Sequence, residues 1–223
     1  MIIAEQKSLE EIREMIAPYK KVLVLGCGTC VTVCFAGGQK EVEILASSLR
    51  LADQIDSRAT SFEEMTIKRQ CDPEYLDEIR EKVKEVDAVL SLACGVGVGS
   101  IADEFPGLKV LPGLNTLMFG RNVEAGIWQE RCAGCGNCVL HLTGGICPIA
   151  RCSKSMLNGP CGGSQNGKCE VSPNIDCAWQ LIIDHLDALG ELGNLDKVHE
   201  PKDWRTAYGG GPRTVVREDL KKL

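Results

Sequence analysis

The sequence has few aromatic residues, few histidines and no long apolar run. Only 4 per cent of its 223 residues are Phe, Trp or Tyr, and only three are His. The shortage of aromatics argues against a nucleic-acid platform built on stacked bases, and a net charge of -6 at pH 7 disfavours a polyanionic partner. No apolar stretch approaches the roughly 18 residues of a membrane-spanning helix. We therefore expect neither nucleic acid nor a membrane as a partner.

The N-terminal sequence also lacks the features of a signal peptide. It reads MIIAEQKSLEEIREM, with acidic residues where a signal peptide has a basic start and an unbroken apolar core. We expect a cytoplasmic protein, in which thiols stay reduced. The hydrophobic content of 44 per cent is ordinary for a globular protein, whereas 13 cysteines are many. In a reducing compartment these cysteines are expected to bind metals or to carry out redox chemistry.

The densest group of cysteines lies between residues 131 and 179. Its first three members are each separated by two residues, and glycines between them permit a tight loop whose backbone N–H groups turn toward an iron-sulfur core. The fourth precedes a proline, as in ferredoxin-type runs, but eight residues separate it from the third. It therefore closes either this cluster or a neighbouring one. These four residues are Cys132, Cys135, Cys138 and Cys147.

Four further cysteines in this block make a second complete ligand set, with glycines such as Gly162 supplying turns. They are Cys152, Cys161, Cys169 and Cys177. Structural zinc usually takes ligands in close pairs, which this set lacks, so two 4Fe-4S clusters are favoured over one cluster plus zinc. A disulfide framework is disfavoured because the chain is long enough to bury an ordinary core. Zinc at one site stays open.

Strand, turn and helix alternate in the first half of the chain. This alternation predicts an α/β fold with a parallel, Rossmann-like sheet and helices on both of its faces. Helices are predicted from Ser8, as the cap residue, to about Ala17, and at 39–55 and 72–86; strands are predicted at 21–25, within 59–68, at 88–93 and at 110–112.

Five cysteines follow these predicted strands. They are Cys27, Cys30, Cys34, Cys71 and Cys94. Because parallel strands all end at one edge of a sheet, we expect the five thiols to converge there, where open α/β sheets bind ligands. The sequence thus predicts a third metal site, a 4Fe-4S cluster held by Cys27, Cys30, Cys34 and either Cys94 or Cys71. One thiol is left over.

Glycines beside these cysteines admit two interpretations. Gly26 and Gly28 flank Cys27, and Gly95 begins the stretch GVGVGS after Cys94. Such glycines cradle a nucleotide or flavin phosphate, or let the backbone pass close to a cluster. Neither stretch has the spacing of a dinucleotide fingerprint, so cluster packing is favoured. These three glycines and Gly162 are our candidate cofactor-binding positions.

The composition predicts three parts. These are an α/β domain at 1–125 with a cluster at the C-terminal edge of its sheet, a small, loop-rich iron-sulfur domain at 126–195, and an extended tail at 196–223 that is available to wrap a partner. A helix at 179–192 is predicted to cover the clusters. The stretch 111–130 is interpreted as a linker, and its apolar residues are assigned to the core in preference to a docking face. Those residues are Leu114, Leu117, Met118, Phe119 and Trp128.

Three motifs together carry a family resemblance. They are GCGTCVTVCFAGG, SLACGVGVGS and CPIARCSKSMLNGPCGGSQNGKCEVSPNIDCAW, of which NGPCGG with GKCE is the specific element. From about residue 20 to the end, the chain resembles the cysteine-rich small subunit of the two-component methylenetetrahydrofolate reductases of acetogenic and related bacteria. The same module is fused to some reductase polypeptides as a C-terminal domain. The cysteines match at every position discussed above, but the resemblance does not assign individual ligands.

The resemblance implies an iron-sulfur protein bound to a separate flavin-carrying barrel subunit. That partner reduces methylenetetrahydrofolate to methyltetrahydrofolate in the methyl branch of acetogenic carbon fixation, the Wood-Ljungdahl pathway. The sequence itself offers no flavin fingerprint and no acid-base constellation, so we expect no catalysis by this chain alone. We expect it to pass single electrons to the partner's flavin from an upstream donor, either ferredoxin or a nicotinamide-oxidising protein.

Two other functions compete with electron transfer. In the first, zinc or non-redox clusters make the chain a structural or assembly subunit of the same complex. In the second, the chain is a corrinoid or thiol methyl-transfer protein. The lack of a His-containing cobalt-binding motif disfavours the second function.

Overall fold

The structure is a computed structural model that describes residues 1–220, and the chain divides into two compact units. The first unit is Met1–Gln129, and the second begins at Glu130. Five of the thirteen cysteines lie in the first unit and eight in the second. None of the described helices has the length and apolar character needed to cross a membrane.

The first unit contains seven of the described strands and five α-helices. The strands are β1 (Ile2–Gln6), β2 (Lys21–Cys27), β3 (Ser61–Ile67), β4 (Ala88–Leu92), β5 (Lys109–Pro112), β6 (Leu114–Glu124) and β7 (Ile127–Cys132), the last of which runs into the second unit. The helices are α1 (Leu9–Ile16), α2 (Cys30–Val33), α3 (Gln39–Ile55), α4 (Pro73–Leu76) and α5 (Gly95–Glu104).

A parallel sheet of four strands forms the centre of this unit, in the order β3-β2-β4-β5. Cys27 pairs with Ile67 of β3, and Gly26 pairs with Leu92 of β4, so that these three strands end nearly level. The crossover after β2 places β3 next to it on one side, and the following crossover places β4 next to β2 on its other side. The edge between β2 and β4 is therefore the topological switch point, where open α/β sheets bind ligands. The predicted parallel α/β sheet is confirmed.

Helices cover both faces of the parallel sheet, as predicted. Val22 and Val24 of β2 pack in one apolar cluster with residues of α1 and α3. Leu23 and Leu25 point the other way and pack in a second cluster with Ile101 of α5. All five side chains are completely buried. A strand buried on both faces is apolar throughout its length, which explains why KVLVL marks β2 in the sequence.

Local capping signals located the first helix correctly. The hydroxyl of Ser8 accepts a hydrogen bond from the backbone N–H of Glu11 at 3.2 Å, and α1 ends at Ile16. Helix α3 covers the predicted range 39–55. The helical pattern was therefore sufficient where capping residues and an apolar stripe coincide.

The single helix predicted at 72–86 is wrong. After the four residues of α4, the chain continues in two short 3-10 turns, Asp77–Ile79 and Lys82–Lys84. Leu76 and Ile79 are the two fully buried side chains of this stretch, and their spacing of three matches the 3-10 repeat. Such a narrow apolar stripe provides too little packing to stabilise a long α-helix.

The sequence did not predict a second, antiparallel sheet. Two of its strands come from the stretch 111–130, which was interpreted as a linker, and the third is β1. Its order is β1-β6-β7, with Ile2 opposite Phe119, and Gly126 adopts a φ of 81° in the turn between β6 and β7. Glycine readily adopts the left-handed backbone conformation that tight hairpin turns require. The partner strands β1 and β6 lie far apart in the sequence, and their pairing leaves no local pattern.

The apolar residues of this hairpin divide between the core and the surface. Leu114 is buried, and Met118 and Trp128 pack against the same core while half-buried. Leu117 and Phe119 are 51% and 47% exposed, so their assignment to the core is wrong. They alternate with Met118 along β6 and therefore lie on the opposite face of the strand.

The second unit has little regular structure. Its apolar core cluster contains three fully or nearly fully buried side chains, Trp179, Ile182 and Leu186. Its elements are a strand pair, β8 (Lys168–Cys169) and β9 (Ser172–Asp176), two helices, α6 (Pro148–Arg151) and α7 (Ala178–Leu189), and the 3-10 turns Leu140–Leu142, Leu192–Asp196, Trp204–Thr206 and Tyr208–Gly210.

Helix α7 corresponds to the helix predicted at 179–192; it ends at Leu189 and is capped by Gly190, whose φ is 71°. The predicted extended tail contains the last two 3-10 turns. Its final residues, 221–223, lie outside the described residues.

Candidate metal centre

Three cysteines of the first unit gather at the switch point. Cys27 is the last residue of β2 and is buried, Cys94 immediately precedes α5, and Cys71 lies in the loop after β3. Burial raises the pKa of Cys71, and negative charge on the neighbouring Cys27 and Cys94 raises it further. Cys71 therefore lies near Cys27 and Cys94 at this edge of the sheet.

Gln70 fixes the loop that carries Cys71. Its side chain is completely buried, donates from Nε2 to the backbone oxygen of Leu25 at 2.9 Å, and accepts from the Ser91 hydroxyl at 2.6 Å. These bonds connect the residue before Cys71 to β2 and to β4. A satisfied polar network in a core fixes a local conformation. Sequence reasoning missed Gln70 because an isolated amide side chain belongs to no motif.

The remaining cysteines of the first unit lie at the two ends of α2. Cys30 is its first residue and is half-buried. Cys34 follows its last residue and packs in the core, with its sulfur 3.6 Å from the backbone oxygens of both Ala4 and Val31. A buried sulfur that donates to carbonyls behaves as an ordinary core thiol. The structure thus directs Cys34 toward backbone acceptors.

The candidate cofactor-binding glycines have different surroundings. The N–H of Gly28 donates to the last carbonyl of β3 at 2.9 Å, and that of Gly95 donates to the hydroxyl of Thr116 at 2.8 Å, so both N–H groups already have acceptors within the protein. A Cβ at Gly26 would lie 2.4 Å from a threonine hydroxyl of β3, which explains the glycine by packing. Gly162 has a φ of 82° and open space around it. The stretch GVGVGS is the start of α5.

In the second unit, the first three cysteines lie on a curled loop at 132–138. Gly134 and Gly136 take left-handed backbone conformations, with φ of 60° and 77°. The N–H of Gly134 donates to the sulfur of Cys132 at 3.3 Å. Cys135 is half-buried, whereas Cys132 and Cys138 are exposed. The loop therefore brings a backbone N–H group to sulfur, as thiolate ligands require.

Cys147 caps the short helix α6. Its sulfur accepts a hydrogen bond from the N–H of Ala150 at 3.5 Å, and Pro148 occupies the first helical position. Proline is favoured at this position because its missing N–H would have no partner there. The Cys-Pro pair is thus explained by the start of a helix as well as by the ferredoxin pattern.

The last four cysteines line a single cavity. The cavity encloses about 20 Å³, and its walls also contain Trp179 and the basic residues Arg151 and Lys154. The cysteines are Cys152, Cys161, Cys169 and Cys177. These are the same four residues that the sequence grouped as the second ligand set.

One cysteine of this cavity is shifted toward its charged form. The sulfur of Cys169 lies 3.5 Å from the Ser153 hydroxyl, and this hydrogen bond, helped by the N–H groups of Val171 and Ser172 and by the charge of Lys154, lowers the pKa of Cys169. The thiolate is the form that binds metals. The direction of the shift is opposite to that at Cys71.

Within residues 1–220, no group of three or more His, Cys, Asp or Glu side chains is close enough to hold a metal ion as positioned. All thirteen cysteines are free thiols. The chemistry of the residues around the cavity is nevertheless suited to a metal, because four thiols share its walls and the pKa of Cys169 is lowered. Lys154 in the same wall is ion-paired with Glu170. Thiolate ligands suit zinc and iron-sulfur clusters alike.

Together, these features define a cysteine-rich α/β protein whose second unit carries a candidate metal centre. Residues 111–205, which include all eight cysteines of that unit, match a family described as "Methylene-tetrahydrofolate reductase C terminal". The matched residues make up less than half of the chain, and the match supports a relation to methylenetetrahydrofolate reductases. Neither a curated protein nor a solved structure matches the chain.

Proposed function

We propose that this chain is the iron-sulfur electron-transfer subunit of a methylenetetrahydrofolate reductase complex. One observation carries the proposal: a cavity lined by four cysteines lies within the segment that matches the reductase C-terminal family. Redox clusters are the cofactors that use such a density of thiols to move electrons.

Three groups of cysteines would hold the clusters. The first group lines the cavity of the second unit, and the second comprises the loop 132–138 with Cys147. The third is at the switch point, where Cys27, Cys71 and Cys94 follow three strands, with the predicted ligand Cys30 at the start of α2. Cys34, which the sequence also assigned to this cluster, is left out because its sulfur faces two backbone oxygens. A cluster, when bound, supplies one-electron transfer. The chain's own contribution is to stabilise thiolates, through Ser153 and Lys154 at Cys169 and through the backbone N–H of Gly134 at Cys132.

The electrons would go to the flavin of a separate barrel subunit and would come from ferredoxin or a nicotinamide-oxidising protein. A groove in the first unit supports a protein partner, since it is lined by apolar residues that include Leu117 and Ile127. Phe35 is 70% exposed there, has a φ of 55°, and makes an edge contact with Trp128 at 6.2 Å between ring centroids.

The first test is anaerobic analysis of iron, zinc and acid-labile sulfide in the purified chain, with electron paramagnetic resonance after dithionite reduction. We expect about eight or more irons with matching sulfide, together with signals from reduced clusters. Zinc with little sulfide would contradict electron transfer.

A pair of cysteine variants then tests the cavity. Cys161→Ser removes one of the cavity thiols and is expected to lose about four irons, the content of one 4Fe-4S cluster. Cys34→Ser changes a thiol that already donates to backbone oxygens and is expected to keep its iron. Wild-type iron in the Cys161 variant would rule out the cavity as a cluster site.

One observation favours a second candidate function, a structural subunit of the same complex. The core cluster of the second unit has only three buried side chains, and small units of this kind often need a metal to fold. Redox titration distinguishes the two functions. If the clusters do not change oxidation state at the potentials of cellular electron donors, electron transfer is excluded and the structural role is supported.

A further inference from the structure

The segment after α7 returns to two cysteine-bearing loops of the second unit. We call residues 199–207 the strap. At its first residue, His199 forms a reciprocal pair with Asn158: the Asn158 Nδ2 donates to the His199 backbone oxygen at 2.9 Å, and the His199 N–H donates to Asn158 Oδ1 at 2.7 Å. Asn158 lies in the loop that leads to Cys161, so this end of the strap is attached beside the four-cysteine cavity.

The other end of the strap contacts the loop 132–138. The Thr206 hydroxyl lies 2.8 Å from the backbone oxygen of Cys135, within donating distance, and also 2.9 Å from the oxygen of Asp203. The ammonium group of Lys202 donates to the backbone oxygen of Asn137 at 2.5 Å. Two carbonyl groups of the cysteine loop therefore have donors on the strap.

Gly136 shows how close the two backbones are. Its φ is 77°, and a Cβ at this position would lie 2.3 Å from the carbonyl oxygen of Thr206. Any side chain at position 136 would therefore force the strap or the loop to move. Glycine at position 136 thus serves both the curl of the loop and the approach of the strap.

We infer that the strap holds the loop 132–138 in its ligand-bearing conformation, with Thr206 and Lys202 as positioning residues for Cys132, Cys135 and Cys138. The loop contains two left-handed glycines, and glycine has access to many backbone conformations, so contacts from outside the loop select one of them. In the conformation that these strap contacts hold, the N–H of Gly134 faces the sulfur of Cys132. Partners that orient metal ligands from the next layer of the structure control both metal retention and redox potential. This inference rests on the proposed function, since it assumes a metal on those cysteines.

The test compares the full-length chain, as purified anaerobically, with Thr206→Val and Thr206→Ser. The valine variant keeps the shape of the side chain and loses its hydroxyl, whereas serine restores the hydroxyl. Two quantities are measured: amide hydrogen exchange over 133–138, and the rate of iron release to a chelator. For Thr206→Val we expect both rates to rise about fivefold, the effect of one hydrogen bond, and for Thr206→Ser we expect near wild-type values. Unchanged exchange in α7 shows that the unit stays folded.

A matched pair of glycine variants tests the close approach. Gly136→Ala and Gly145→Ala carry similar backbone strain, since the φ angles are 77° and 84°, but a Cβ at Gly145 meets nothing within 4 Å. Only Gly136→Ala is expected to accelerate exchange at 133–138 and iron release. Equal effects of the two variants, or wild-type exchange in Thr206→Val, would overturn the inference. A purified chain without iron or sulfide would instead defeat the proposed function, and the exchange measurement would still decide whether the strap holds the loop.

Discussion

The thirteen cysteines occupy two contrasting settings. Those of the first unit sit at or near the ends of parallel strands, over a sheet whose two faces are covered by large apolar clusters. Those of the second unit sit on loops and short elements, above a core of three buried side chains. In the first unit the fold creates the position of the thiols. In the second unit we expect the bound metal to create much of the fold.

Metal removal tests this comparison most directly and has the largest expected effect. Stripping the chain with a chelator under anaerobic, reducing conditions is expected to abolish most amide protection in α7, because the apolar core cluster of the second unit, centred on Trp179, Ile182 and Leu186, is small. The central strands β2 and β4 are expected to keep their protection, since both are buried. Hydrogen exchange followed by mass spectrometry measures both regions in one sample. If the metal-free chain keeps full amide protection in α7, the second unit does not depend on metal for its fold, and the proposed difference between the units is wrong.

A substitution inside the first unit gives an intermediate effect. Gln70→Leu leaves the Leu25 carbonyl and the Ser91 hydroxyl without their buried partner, and it is expected to destabilise the first unit by about 2 kcal/mol. Urea denaturation followed by exchange of β2 amides measures the loss. The control is Gln39→Leu, at an exposed position, which is expected to change stability little. Equal stability of the two variants would show that the network does not hold the switch point.

The smallest expected effect concerns Cys71 and Cys169, whose thiol pKa values are shifted in opposite directions. In the stripped chain, the first unit stays folded, so Cys71 keeps its raised pKa and its alkylation by iodoacetamide should become fast only at a higher pH than for an unfolded cysteine. The lowered pKa of Cys169 depends on Ser153 and on neighbouring N–H groups of the folded second unit. It is therefore expected to rise to the ordinary value once the metal is removed. Peptide mapping of alkylation against pH measures both. A Cys169 that still reacts at low pH would mean that the second unit folds without metal.

Much of the first unit was predictable because its signals are local. The apolar run that ends in Cys27, the Ser8 cap and the repeat of strand and helix sufficed to place the parallel sheet and the edge at which Cys27 lies. The antiparallel sheet escaped prediction because β1 and β6 find each other only in three dimensions. Gln70 escaped because a buried amide is recognised by its partners, which lie on other strands.

In the second unit, the last four cysteines of the block were grouped from the sequence as one set, and the structure places all four in the walls of one cavity. The contacts of the strap had no signal in the sequence. Thr206 and Asn158 are common residues whose partners lie far along the chain. The glycine-rich tail was interpreted as free to wrap a partner, whereas residues 199–207 contact loops of their own unit.

The order of the cysteines at the switch point has a consequence for the unfolded chain. Cys27, Cys71 and Cys94 are separated by two whole crossovers, so a metal bound to all three would close two long loops. Closing a loop reduces the conformational entropy of the unfolded state, which is the way a disulfide stabilises a protein. Such a metal would act as a reversible cross-link formed from thiolates. Oxidation of the cysteines would release the metal, and the edge of the sheet between β2 and β4 would lose this cross-link.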